Sequence, residues 1–505
     1  MSENNKKTIH VVNQILTYVV LVGLSAIAVY NFLRAGGMEI YDTIKGRFYW
    51  QGIFFLGCAL FISYGVRLKS YLMYPITLVY YVASLIILLK TGYKQNSPEL
   101  WSWYIRIAFA FGTVIPILVD AIMQKRIRKL PAKRIILLAL FSTPVLYSII
   151  YHDSFSWEEV ALLVMTWVIL LVEFHTESLK RLVVCLTGGG FLGIMSLLIK
   201  CLIKVPYKGE YHYIGLFHDS PIFAAFMGTG VVLCLVLYLI FSDKYPGKKT
   251  VFLIATILCS IPYIFMAVVA NGRNTFVALM FSFLLFFFIL TVKTGKKKYF
   301  LTLCIAMGIV AVLAIVLVVF LTLTMKDERF AWLMEIPQLD QLQSLQVRLA
   351  NTKSHFGVFP EGHWLNRVDY LLSWRLSVWT ITARQLKLFQ GNPTAIPITD
   401  TLSWPTHNTY LGFLNKYGIV MGTCCVAGII WSLIIAVKKA VKSFKDKKLD
   451  YMAIIAAFWM LYFASIYMNE TFYVVSYPSI IWLLLLALPA EDTGDLTRKV
   501  SNDRM

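Results

Sequence analysis

An all-α polytopic membrane protein is the fold class that this sequence predicts, and three observations predict it. Of the 505 residues, 58% are hydrophobic and the mean hydropathy is +0.69, above the range of soluble domains of this length. Apolar runs of about 18 to 23 residues recur along the chain, the length a helix needs to cross about 30 Å of hydrocarbon. Charged residues gather between these runs. About 12–14 transmembrane helices are expected.

Taken in order, the candidate spans 11–33, 49–66, 70–90, 100–122, 135–151, 158–173 and 181–203 form an amino-terminal unit over residues 1–210. The spans 219–241, 250–270, 274–292 and 299–324 form a central unit over 211–324, with a polar turn at 271–274. A long segment over 325–406 separates these from the carboxy-terminal spans 407–437, 451–468 and 471–489, and a tail follows at 490–505. The opening "MSENNKKTIH" leads into a full-length span with no small-residue cleavage site, so no removable signal peptide is expected.

The formal charge of +20 is concentrated at 125–134 ("KRIRKLPAKR"), 293–298 ("KTGKKK") and 438–448 ("KKAVKSFKDKK"). Basic loops resist translocation, so these three belong on the cytoplasmic side. Alternation from there places both termini in the cytoplasm and also puts "RLK" (67–69) and "KYPGKK" (244–249) inside. The clusters set orientation and meet anionic membrane lipid, which argues against nucleic acid as a partner. All eight cysteines lie within or beside apolar segments, so neither a disulfide framework nor a cysteine metal site is expected.

The 325–406 segment falls on the external side and is too long for an incidental loop. Leucines at helical spacing in "LDQLQSLQVRLA" (339–350) predict one helix. The aromatic, amphipathic stretch 363–389 predicts a second, lying on or dipping into the outer leaflet. Its bases favour arginine over lysine, and the planar guanidinium grips phosphate with two parallel hydrogen bonds. Pairing with neighbouring acids or with lipid headgroups is the plainer role for any one of these arginines.

Three features carry candidate chemistry. The turn "NGRN" (271–274) holds Arg273 near the membrane surface, where an ionisable residue is expensive. In "SWRLSVW", Arg375 and Trp379 stand one helical turn apart. "HNTYLGFLNKYGIVMG" (407–422) places His407 at the lip of a span, followed by Asn408 and Tyr410. Each also has a plain reading: a hairpin turn, an interfacial helix and a helix cap. His218 and Asp219 precede another span on the same side and suit sugar hydroxyls or an amino-terminal cap. His355 and His363 read as solvated loop residues, and "TGGGF" (187–191) as close helix packing.

Together the glycine-arginine turn, the R-x-x-x-W helix followed by "GNP" (391–393) and the histidine-led span resemble the bacterial O-antigen ligase and Wzy-type O-antigen polymerase family. "YIGLFHDSPIFAAFMGTG" (213–230) is similar to the segment before one of that family's central spans, so the resemblance covers roughly residues 213–435. It implies a GT-C-type helical bundle with one large external loop. It implies an inverting transfer of a glycan from undecaprenyl pyrophosphate to an acceptor hydroxyl on the external face, without metal or other cofactor. The family's essential residues fall by motif on Arg273, Arg375 and His407. Asn408, Tyr410, Trp379, His218, Asp219 and Arg384 are candidate substrate contacts. The implied partners are the lipid-linked donor, a lipid-linked glycan or lipid A–core acceptor, and a chain-length regulator.

That assignment suits the residues' own chemistry. Two arginines can stabilise a departing pyrophosphate in a partly dry cavity, and a neutral imidazole suits removal of a hydroxyl proton at physiological pH. His407 could instead only orient the acceptor. A lysine- and isoleucine-rich composition leans toward polymerisation of a surface polysaccharide, with ligation as the alternative. A transporter or flippase is the competing class, but the matching halves and midplane charges common in transporters are missing from the sequence pattern.

Overall fold

The computed structural model describes residues 132–151, 220–270, 272–295, most of 351–391, 396–399, 402–404, 406–446 and 450–468, with a few isolated positions elsewhere. The expected spans at 11–33, 49–66, 70–90, 100–122, 158–173, 181–203, 299–324 and 471–489 lie wholly or largely outside these residues, as do the 339–350 helix, His355 and the tail. The described elements are α1 (Ala132–Tyr151), α2 (Ser220–Lys244), α3 (Lys249–Val269), α4 (Arg273–Thr294), α5 (Trp364–Leu371), α6 (Arg375–Gln385), β1 (Ile396–Thr399), β2 (Leu402–Trp404), α7 (Thr409–Lys445) and α8 (Tyr451–Ile466). Among them α2, α3 with the turn before it, α4 and α7 are long and apolar enough to cross a membrane. The chain is a helical membrane protein.

Burial explains the arrangement. From Met452 to Ile466, every residue of α8 except Leu461 is buried. A helix apolar on all sides belongs inside a bundle, and α2, α4 and α7 pack around α8. α2 is almost as enclosed, with α3 on its outer side and α1 against α7. On α3, Val251, Ile254, Leu258, Ile261 and Phe265 are exposed, as lipid-facing residues are.

Helix direction follows from the ends. Lys293, in the last turn of α4, pairs with Asp243 near the end of α2 at 3.0 Å. Its ammonium also stands 5.9 Å from the ring of Phe444, near the end of α7. So α2, α4 and α7 run in parallel, finishing at a lysine-rich end of the bundle, and α3 and α8 return from it. The α3–α4 turn, the start of α7 and the end of α8 share the opposite end.

Three sequence expectations need correction. The continuous span expected over 407–437 is broken: α7 turns sharply at Gly418, where φ is 80° and ψ is 164°. Only glycine adopts that conformation without strain. The first segment, 409–417, folds back so that the backbone of Phe413 and Leu414 lies against Gly422. An unbroken α7 would be about 56 Å long, nearly twice the hydrocarbon thickness. After the break, the apolar run from Ile419 to Val437 spans about 28 Å, one membrane crossing. The amides of Ile419 and Val420 bond instead to the carbonyls of Lys387 and Leu388, at 2.9 and 3.1 Å.

The second correction concerns 363–389, expected as one helix. It splits into α5 and α6 at Leu372–Trp374, where Trp374 has φ 64°. His363, read as a solvated residue, caps α5: its Nδ1 accepts from the amide of Leu365 at 3.2 Å. The third is a short antiparallel hairpin, β1 with β2, pairing Ile396 with Trp404 and Thr399 with Leu402 in a loop expected to hold only helices.

The break at Gly418 gives the first test. Gly418→Ala forces a side chain into a left-handed, extended backbone at a cost of about 1–3 kcal/mol. It is expected to lower the thermal unfolding midpoint in detergent by several degrees. Gly247→Ala, where nothing lies within 4 Å of an added Cβ, is expected to leave it unchanged.

Candidate functional site

The site is built around the strap 406–409, which carries His407 into α7. The backbone of His407 has φ 48°; it and Trp374 are the non-glycine residues with positive φ among those described. Such a conformation persists only when its surroundings hold it. Here the restraints come from both sides. On one side the indole N–H of Trp379 donates to the Thr406 carbonyl at 3.0 Å, orienting the peptide group that enters His407. On the other, the Nδ2 of Asn408 donates to the carbonyl of Met468 at 2.8 Å, and the amide of Thr409 to that of Tyr467 at 2.9 Å. The Oδ1 of Asn408 also caps α7 by accepting from the Leu411 amide at 2.9 Å. Two residues on, the Tyr410 hydroxyl donates to the Ala464 carbonyl at 2.8 Å. Asn408, Tyr410 and Trp379, expected as substrate contacts, thus fasten the strap to α6 and to the end of α8.

Arg375 is the first residue of α6 and is half-buried, with its Nε inside the protein. Asp369 of α5 positions it. This carboxylate is 1% exposed. It accepts from the Ser377 amide at 2.8 Å and from the Ser377 hydroxyl, closing the first turn of α6. The peptide carbonyl of Asp369 accepts from the Trp374 amide at 2.7 Å, which fixes the left-handed corner before Arg375.

Arg375 lies within electrostatic reach of His407. Burial of the half-buried imidazole, and secondarily the Arg375 charge, push the His407 pKa down to about 4. His407 is therefore neutral at physiological pH, within the field of the Arg375 charge.

Arg273 heads α4 at the same end of the bundle, with its side chain exposed rather than enclosed. Gly272 before it packs on Ala224 so closely that any Cβ there would collide. Within the first turn of α4, Thr275 packs against Gly228 of α2, as does the hydroxyl of Tyr462, which donates to the Ala225 carbonyl at 2.6 Å. The Arg273 turn and the His407 strap thus bracket the last turns of α8. Neither α4 nor α6 has an acid in its first turn, so each arginine adds its charge to the positive end of a helix dipole.

The structure therefore brings Arg375, Trp379 and His407 together and sets Arg273 at the same end. It does not bring Arg384 to them. That residue is exposed, nine positions beyond Arg375 and so on about the opposite face of α6. His218 and Asp219 lie outside the described residues. Among the described residues no group of three His, Cys, Asp or Glu side chains could hold a metal ion. Sequence reading missed Asp369 and Thr406; an acid eight positions before a serine gives no sign that it will cap that serine's helix. No family model matches the chain, and no curated protein or solved structure matches it.

Asp369→Ala strands the buried amide and hydroxyl of Ser377, each worth on the order of 1–3 kcal/mol. It is expected to destabilise the detergent-solubilised protein markedly, whereas Asp369→Asn, which keeps an acceptor, is expected to cost less. Thermal unfolding of both variants checks the order.

Proposed function

We propose that the chain is an inverting glycosyltransferase that moves a glycan from a lipid pyrophosphate, undecaprenyl pyrophosphate by the resemblance described above, to an acceptor sugar hydroxyl. The observation that carries the reading is a neutral, half-buried His407 within electrostatic reach of Arg375, which sits at a helix amino-terminus. In this reading His407 removes the proton of the acceptor hydroxyl as that oxygen attacks the anomeric carbon. The bond from this carbon to the pyrophosphate oxygen breaks, and its electron pair leaves with the phosphate. Arg375, joined by Arg273 on the same end of the bundle, offsets the growing negative charge. The lysine-rich end faces the cytoplasm by the positive-inside rule, so the reaction takes place on the external face. Extension of a lipid-linked polysaccharide is the preferred reaction, and ligation to lipid A–core the alternative.

Incubation of purified protein with one defined undecaprenyl-pyrophosphate oligosaccharide tests the reading. Longer lipid-linked products identify a polymerase. Product formed only when lipid A–core is supplied identifies a ligase. Flux of lipid or glycan across vesicles without new glycosidic bonds overturns the proposal. In the productive assay His407→Ala is expected to lower turnover by about 10²–10⁴. Arg375→Lys keeps the charge and loses the two-point grip, an expected loss of about 1.5–3 kcal/mol, or roughly ten- to a hundredfold.

The pH dependence has a definite sign. A base with a pKa of about 4 in the free protein leaves kcat/KM flat from mildly acidic pH upward. A bound phosphate offsets the Arg375 charge that disfavours imidazolium, so the acid limb of kcat is expected at higher pH than that of kcat/KM. Arg375→Gln removes the same charge from the free protein and is expected to raise the acid limb of kcat/KM, still below the ordinary histidine value because burial remains.

A further inference from the structure

The loop that leaves α6 carries two large apolar side chains with little protein around them. Leu388 is 60% exposed and Phe389 59%. Exposed neighbouring apolar residues on a loop mean little by themselves, but the depth of this loop is set by its backbone. The carbonyls of Lys387 and Leu388 accept from the amides of Ile419 and Val420, the first residues of the 28 Å apolar run of α7 (about 28 Å at 1.5 Å per residue). Gly391 is packed against the Lys416 carbonyl just before the break. The loop is therefore held level with the point where α7 enters hydrocarbon. Val420, in the same turn, is itself exposed as a lipid-facing residue is. Two cations flank the apolar pair: Lys387 directly, and Arg384 in the last turn of α6, both exposed.

We propose that residues 384–389 form a wedge into the leaflet on the His407 side, with Leu388 and Phe389 entering the acyl boundary and Arg384 and Lys387 pairing with anionic lipid phosphates. Apolar residues at the level of the headgroups with basic residues around them are the pattern of interfacial anchors. α6 is then fixed to the bilayer at its carboxy-terminal end while Arg375, at its amino-terminal end, stays at the site. The inference rests on the depth of the loop and does not require sugar transfer.

The test uses the full-length protein in nanodiscs, with dansylalanine introduced at position 389 by codon suppression, or at 388 should the first variant fold poorly. Quenching by nitroxide on the upper acyl chain of the lipids, with little quenching by aqueous iodide, is the expected result. Quenching by iodide alone, or by neither reagent because protein covers the loop, overturns the proposal. A second arm compares nitroxide-labelled phosphatidylglycerol with labelled phosphatidylcholine. The anionic lipid is expected to quench more strongly, by at most roughly fivefold per basic residue, and the preference is expected to vanish in Arg384→Gln/Lys387→Gln. Equal quenching by the two lipids in the unmodified background overturns the headgroup pairing.

Discussion

A helix broken at the edge of hydrocarbon exposes amide groups that no water can reach from the lipid side, and each must find an acceptor. At the Gly418 break the acceptors are the carbonyls of Lys387 and Leu388. This pairing is the constraint on which the site depends. It ties the carboxy-terminal end of α6 to the first membrane turn of α7. The indole of Trp379 makes a second link, to Thr406 just before α7 begins. Two attachments along one short helix leave it little freedom to slide or rotate, so the relation of Arg375 to His407 follows from how α6 is docked.

The same docking sustains the strained backbone. Trp374 and His407 both adopt positive φ, at the corner before Arg375 and on the strap before α7. A bulky residue in that region is disfavoured and persists only where neighbours dictate it. For Trp374 the neighbour is Asp369, whose carbonyl takes the corner's amide and whose carboxylate caps the following turn. For His407 it is the bond from the Trp379 indole to the peptide carbonyl before it and, after it, the bonds from the Asn408 side chain and the Thr409 amide to the carbonyls of Met468 and Tyr467. Strain therefore sits at or beside two of the three residues singled out as chemical, and around His407 the side chains that hold it, Trp379 and Asn408, first read as substrate contacts.

The readable parts of the sequence were those governed by local rules. Apolar length placed α2, α3 and α4 within a few residues of their observed ends, and the lysine clusters marked the end where Asp243, Lys293 and Phe444 meet. Arg375, Trp379 and His407 stood out because their chemistry is unusual near a span. What stayed hidden depends on distant partners. Gly418 lies in "KYGIV", where a glycine between apolar runs is as compatible with a straight helix as with a break; the carbonyls that permit the break come from residues about thirty positions earlier. Asp369 looks like a surface acid on an amphipathic helix, and only the fold of α5 onto α6 buries it. Arg384 shares a helix and a residue type with Arg375, yet helical geometry turns it away.

Two arginines begin α4 and α6, each at the positive end of a helix dipole and with no acid in the first turn. The nearby buried carboxylate, Asp369, already accepts two hydrogen bonds from Ser377. A cation at a helix amino-terminus is disfavoured, and half-burial of Arg375 adds a desolvation penalty. The basicity of His407 is depressed first by burial and secondarily by the Arg375 charge. An anion approaching Arg375 would gain from the α6 dipole as well as from the guanidinium charge, which is the physical basis of the role proposed for this end of the bundle.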